Sequence, residues 1–198
     1  MRIDLAGQRA CLIGEGKGLL GAVAMALERN GAAIAFLADA SGPVPDPVPD
    51  ILVLSGDLLA AAAPRAVAIP EPHAEAMARR GSGRIVVLLS ALAAVPARRF
   101  PSVSLSAGAA FAEVRLAAMR FGPALAVNAV GCGAIADPEG SLIAGDAAML
   151  THVPTGQPGE GEDVVNAVLF LCDPANSYTT GQMLSVDGGW SAGYGRNF

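Results

Sequence analysis

The sequence predicts an α/β fold: a parallel sheet covered on both faces by helices. Three observations carry this. Short apolar runs alternate along the chain with segments whose apolar residues recur at helical spacing. A glycine cluster joins the first apolar run to the first helical segment, as in a strand–turn–helix–strand unit. The apolar runs lack the in–out alternation of a half-solvated sheet, as strands buried on both faces do. No internal repeat or composition break divides the chain, so residues 1–198 are expected to form one domain.

The elements follow in order. Residues 9–13 (RACLI) form the first strand. Gly14, Gly16, Gly18 and Gly21 make the turn, and Leu20, Val23, Ala24 and Leu27 then recur on one helical face up to Asn30-Gly31, a helix stop. Residues 32–37 are the second strand. The decapeptide 41–50, SGPVPDPVPD, holds four prolines and admits neither helix nor central strand. Residues 51–54 are the third strand. The alanine-rich stretch 58–68 is predicted helical in part, up to Pro70 and Pro72. A short helix over 72–80 ends at Gly81-Ser82-Gly83. A strand over 85–89, a long helix over 104–120 rich in small residues, and a strand over 125–130 follow. Residues 131–162 read as loop-rich. Residues 164–171 are helical, with Glu162 and Asp163 in the first turn, where carboxylates suit the helix dipole. Residues 183–186 are the last strand.

Composition narrows the function. The net charge of −5 argues against nucleic acid or an anionic membrane as partner. No uncharged apolar run approaches the ~20 residues of a membrane helix, and the first residues do not resemble a secretory signal. Cys11, Cys132 and Cys172 sit in apolar runs without metal spacing, which predicts buried free thiols and a reducing, cytoplasmic setting. Lys17 is the sole lysine, and Tyr178 and Tyr194 are the only tyrosines. His73 and His152 each stand apart in sequence from any carboxylate constellation, so neither reads as catalytic.

Four segments resemble the short-chain dehydrogenase/reductase family: GEGKGLLG (14–21), GSGRIVVLLS (81–90), AVNAVGCGAI (126–135) and GEDVVNAVLFLCDPANSYTTGQMLSVDGG (161–189). The resemblance implies a Rossmann-like, doubly wound parallel sheet whose family strand order is 3-2-1-4-5-6-7. Here only the proline-rich decapeptide stands where the family has helix, third strand and helix. Six strands in family order 2-1-4-5-6-7 are therefore expected, with strand 2 at an edge.

The resemblance also implies a chemistry that the residues do not supply. In the family, Ser polarises the carbonyl, Tyr transfers the proton, Lys tunes the Tyr, and an Asn completes a relay. Ser90 keeps the serine position. Ser104 falls at the Tyr position and Gly108 at the Lys position, and no Asn lies between residues 57 and 80. The cofactor turn keeps Gly14, Gly16 and Gly18 with Lys17 beside them, but Leu20 stands at the family's last glycine, with Gly21 one place late. Ala38 stands where an acidic residue should meet the adenosine ribose, with Asp39 one place late. Asp57 and Asp137 bring carboxylates where the family places smaller or uncharged groups near the phosphates.

The reading these residues favour is a non-catalytic dehydrogenase-like subunit, binding NAD(P) weakly or not at all. It would assemble as a hetero-oligomer with an active short-chain dehydrogenase, or as a homo-oligomer. In the family the long helix builds a four-helix bundle between subunits, and the helix 104–120 offers Ala107, Gly108, Ala109, Ala110, Ala112, Ala117 and Ala118 for close approach. The last strand and Trp190 form the second assembly region. The alternatives are an NAD(P)(H)-dependent oxidoreductase with an altered proton donor, and a stand-alone ligand-binding or regulatory module.

Overall fold

The computed structural model describes residues 1–56, 58–59 and 67–192. Six strands form one parallel sheet: β1 (Arg9–Ile13), β2 (Ala33–Leu37), β3 (Ile51–Ser55), β4 (Gly83–Ser90), β5 (Leu125–Cys132) and β9 (Met183–Val186), in the spatial order β2-β1-β3-β4-β5-β9. In family numbering this is 2-1-4-5-6-7, as expected. β2 is an edge, and no described strand lies on its outer side.

The central strands are apolar because helices cover both their faces. Leu12, Val53, Val86 and Leu88 point to one face and are fully buried there with α1 (Gly18–Arg29) and α4 (Gly161–Cys172). Leu52, Leu54, Ile85 and Val87 point to the other, against α2 (Glu71–Arg80) and α3 (Pro101–Phe121). Truncating one such Leu to Ala costs about 2–5 kcal/mol, from lost transfer energy plus the cavity left behind.

The helix ends follow local chemistry. α2 begins at Glu71-Pro72 and stops at Gly81, whose φ of 92° is left-handed. α4 carries a capping box, in which the Glu160 N–H donates to Asp163 Oδ2 at 2.8 Å. α3 runs a turn longer than its apolar spacing suggests, because Pro101 starts it.

The proline-rich connection 38–50 returns the chain from the top of β2 to the bottom of β3. Val48 packs into the α2–α3 core. Asp50 anchors the end of this connection. Its Oδ2 accepts the Arg9 N–H at 2.7 Å, its Oδ1 pairs with Arg80 at 2.5 Å, and its carbonyl accepts the Arg84 N–H at 2.9 Å. The carboxylate therefore ties the start of β3 to β1 and α2, and the backbone carbonyl ties it to β4.

Residues 131–162 are loop-rich, with short strands that the sequence does not show. They contain β6 (Ile135–Ala136), β7 (Leu142–Ala144) and β8 (Gly159–Glu160), which form a small second sheet, and a 3-10 segment Ala147–His152. Strands of two or three residues carry no readable period. Of the stretch 58–68, expected helical in part, residues 60–66 lie outside the described residues, as does Asp57. Leu59 pairs as an isolated bridge with Gly145, and the Gly145 N–H donates to the Leu58 carbonyl at 2.8 Å. All three cysteines are free and buried, and burial pushes the Cys132 and Cys172 thiols up to about 12. Among the described residues, no helix is long and apolar enough to cross a membrane, and no cluster of His, Cys, Asp and Glu could hold a metal.

Candidate functional site

Strand order reverses between β1 and β3, since β2 lies on one side of β1 and β3 on the other. In such sheets ligands bind outside the carboxyl ends at that switch point. A cleft of about 340 Å³ lies there, bounded by Ile13 and Gly14 at the end of β1 and by Ser55 and Gly56 at the end of β3. Gly14 (φ 131°) and Gly18 (φ 54°) adopt conformations that disfavour a side chain. Lys17 is the N-cap of α1 and supplies no side-chain cap, so the first N–H groups of the helix are open to an anion.

The bare backbone of this turn is nevertheless filled from within the chain. A Cβ on Gly14 would lie 3.0 Å from Leu20 Cδ2, and a Cβ on Gly16 would lie 2.7 Å from Phe36 Cζ. The space the glycines free is thus taken by Leu20 and by the Phe36 ring on the edge strand. Leu58, Leu59 and Ile143 line the remaining mouth, and the Leu58–Gly145 bond fixes that wall. Lys17 projects into solvent and pairs with Glu15 at 3.1 Å, which offsets its charge at the turn. Asp39 sits in a local turn: its Oδ1 accepts the Ser41 N–H at 2.8 Å, and the Ser41 hydroxyl and backbone hold its pKa down.

Asp137 does not reach this cleft. Its Oδ1 accepts the Ser141 N–H at 2.7 Å and closes the β6–β7 hairpin. The carboxylate expected beside the phosphates is a turn residue.

Ser90 ends β4 and is fully buried. Its Oγ accepts the Leu92 N–H at 3.3 Å, capping the 3-10 turn Ala91–Ala93. The space it shares with Gly56, Val103, Ser106 and Ala107 is about 10 Å³, at most about one water.

Ser104 and Gly108 are not brought to Ser90. The Ser104 hydroxyl donates to the Phe100 carbonyl at 2.7 Å and accepts the Ala97 N–H at 3.1 Å, so it holds the loop before α3. A Cβ on Gly108 would meet nothing within 4 Å. The face of α3 turned to Ser90 carries Val103, Ser106, Ala107 and Ala110. Sequence reasoning missed Ser102 and Ser106, which stand four residues apart on one helical face and line a neighbouring apolar groove of about 510 Å³. It also missed Phe36 as the residue that covers Gly16. The signal for Ser106 was the helical period, since 103, 106, 107 and 110 share a face.

In this arrangement Leu20 and Phe36 lie against the glycines of the turn, and the space beside Ser90 is about 10 Å³.

The sheet order and the crevice at its switch point define a Rossmann-like α/β protein. A family model described as Enoyl-(Acyl carrier protein) reductase matches residues 66–191. The 7alpha-hydroxysteroid dehydrogenase of Escherichia coli strain K12 is 37% identical over 117 residues, covering 57% of this chain and 46% of that protein. Glucose 1-dehydrogenase of Gluconobacter oxydans is 35% identical over 112 residues, covering 54% of this chain and 42% of that protein. The chain spans about half the length of the curated relatives it matches. Among solved structures, a 7 alpha-hydroxysteroid dehydrogenase complexed with NADH and 7-oxo glycochenodeoxycholic acid has a TM-score of 0.74 at 24% identity, covering 94% of this chain and 95% of that one. A short-chain type dehydrogenase/reductase from Mycobacterium ulcerans has a TM-score of 0.78 at 20% identity, covering 99% and 94%. At these identities the structural likeness is one of fold. The chain belongs to the short-chain dehydrogenase/reductase family.

Proposed function

We propose that the chain is a non-catalytic short-chain dehydrogenase-like subunit that assembles with an active NAD(P)-dependent oxidoreductase. The observation that carries this reading is the division of labour on α3. Its inner face closes on Ser90 with small side chains. Its outer face leaves Leu105 76%, Leu116 61% and Met119 73% exposed. With the exposed Ala109 and Ala112 these residues fall at spacings of four, three, four and three, the seam of a helix that packs lengthwise on another helix. The groove lined by Ser102, Leu105, Ser106 and Ala109 continues this surface towards residues 67–68.

The residues that would run the family reaction are missing on this reading. Ser104 and Gly108 stand where the family has Tyr and Lys, and of the helix's serines only Ser106 lines the space beside Ser90. A serine hydroxyl is far less acidic than a tuned phenol, and neither serine carries a charge. NAD(P) binds weakly or not at all, because Leu20 and Phe36 hold the cradle. Buried, unpaired thiols suit a cytoplasmic protein. Sedimentation of the chain alone and with a short-chain dehydrogenase co-expressed from the same locus tests the reading. A mixed complex supports it. A monomer indifferent to that partner contradicts it.

A second reading rests on family membership itself, since the relatives matched are named as dehydrogenases. It is an NAD(P)(H)-dependent oxidoreductase whose proton comes from water or a substrate group. It requires the glycine cradle and the space before Ser90 to open. Steady-state turnover of the isolated chain with NADH or NADPH and a panel of ketones would establish it.

A further inference from the structure

We propose that the open edge of β2 pairs with β2 of a second copy of this chain, antiparallel, about a twofold axis at Ala35. The sheet ends at β2, and no described strand lies beyond it. The ladder with β1 uses alternate residues. The Ala33 N–H donates to the Gln8 carbonyl at 2.9 Å, and the Leu37 carbonyl accepts the Gly14 N–H at 2.8 Å. Ala33, Ala35 and Leu37 therefore turn their backbone groups to β1, and Ile34 and Phe36 turn theirs outward. These outward N–H and C=O groups have no partner among the described residues.

Exposed strand edges are usually guarded by charge, by proline or by a covering segment. β2, with the sequence AIAFL, carries neither charge nor proline. Ala33, Ala35 and Phe36 are exposed, and the first proline beyond the strand is Pro43, outside the segment that would pair.

The side chains fit a second copy. About a twofold at Ala35, Ile34 of each copy meets Phe36 of the other, and Ala33 meets Leu37. The Ile34 and Phe36 positions exchange both N–H and C=O, so the pairing meets all of their outward groups on both strands. Ile34 and Phe36 lie on the face that carries α1, where each cross-strand pair joins a β-branched to an aromatic side chain. Ala35 meets itself at the closer, non-hydrogen-bonded position, about 4.5 Å between Cα atoms, where a small side chain fits. This is a self-complementary contact of the kind a twofold dimer needs. Charge favours the antiparallel direction. Exposed Arg29 precedes the strand and exposed Asp39 follows it, so antiparallel pairing sets Arg29 of one copy towards Asp39 of the other, and a parallel pair would set like beside like. Exposed Glu28 beside Arg29 tempers that pull.

The pairing lies on a different surface from the α3 seam and stands or falls independently of the assembly reading. Leu116→Asp should remove a mixed complex and keep this dimer.

Site-specific cross-linking tests it. Ala35→Cys and Ala33→Cys are made in the full chain, with and without Leu116→Asp, and oxidised mildly. The native Cys11, Cys132 and Cys172 are buried and do not compete. Two copies of residue 35 fall within the span of about 4.4–6.8 Å that a disulfide bridges. Two copies of residue 33 lie four residues apart along the strands, about 13 Å. Ala35→Cys should give a covalent dimer on non-reducing electrophoresis and Ala33→Cys should not. Ala35→Lys, which sets like charges directly opposite, should convert the sedimenting dimer of Leu116→Asp to monomer without changing the circular dichroism melt. No cross-link at residue 35, equal cross-linking at 33 and 35, or a dimer that survives Ala35→Lys would each overturn the proposal.

Discussion

The two ends of the family's active site have lost different things. At the end of β1 the geometry survives: a tight glycine turn, an open helix N-terminus and a cleft of about 340 Å³. What has changed is that Leu20 and Phe36 lie in the space the glycines free. At the end of β4 the residue survives, since Ser90 is in place, but the volume before it is about 10 Å³. The first end keeps the anion-facing turn but has Leu20 and Phe36 against its glycines, and the second keeps a catalytic residue type with little space before it. Keeping a residue and keeping a site are therefore separate events, and only the three-dimensional packing tells them apart.

The largest expected effect contrasts the turn after β5, the neighbour of β4, with the turn after β1. A Cβ on Gly133, just past β5, would lie 2.5 Å from the Asp187 Cα, a backbone atom that cannot turn aside. Gly133→Ala should cost about 3 kcal/mol or more of stability. Gly16→Ala would meet only the tip of the half-exposed Phe36 ring and should cost under about 1 kcal/mol, because that ring can swing outward. Urea denaturation of both variants at constant slope checks the contrast. Equal losses would break it.

The next effect separates the two faces of α3. Ala110 is buried towards Ser90, so a Trp there should unfold the protein and not act at an interface. Leu116→Asp on the exposed seam should leave the fold intact and weaken assembly by about 2 kcal/mol, the scale of an interface hot spot. Thermal melts and sedimentation on the same samples distinguish the outcomes.

Cofactor affinity sharpens the comparison at the β1 end. Calorimetric titration with NADH and NADPH should show no binding tighter than about 1 mM, near −4 kcal/mol. Phe36→Ala, which uncovers Gly16, should raise residual affinity. Micromolar binding by the unaltered chain would mean that Leu20 and Phe36 move aside.

The smallest effect is a pH dependence. His73 on α2 is buried, and burial pushes its pKa down from 6.5, with a weak interaction with the Pro43 backbone opposing. The unfolded chain therefore binds the proton more readily. Stability should be level above the unfolded value and fall as pH drops below about 6.5. His73→Leu should flatten that fall in denaturation midpoints measured between pH 7.5 and pH 5.5, about one unit either side of the free imidazole value.

Much of the fold was legible because buried parallel strands announce themselves. Residues 51–54 and 85–89 are unbroken apolar runs, and the prolines of 41–50 exclude the missing strand by covalent geometry alone. The small second sheet was not legible, since Ile135–Ala136 and Gly159–Glu160 are too short for any period. At the site, the absence of Tyr and Lys was readable from counts. Which serine faces Ser90 was not. Ser104 matches a motif by spacing from the strand, yet the helical register turns it to Phe100 and brings Ser106 round instead. The covering of Gly16 by Phe36 depends on strand pairing twenty residues away in sequence, which no local pattern records.

The central claim is that α3 has kept its role in assembly while its catalytic face has closed. Sedimentation velocity of the purified chain, with and without the co-expressed short-chain dehydrogenase of its locus, and with NADPH-dependent turnover assayed on each peak, tests it most directly. The account predicts a mixed complex, with turnover confined to fractions that contain the partner and assembly lost with Leu116→Asp. A stable monomer that ignores the partner, or turnover by this chain alone, would contradict it.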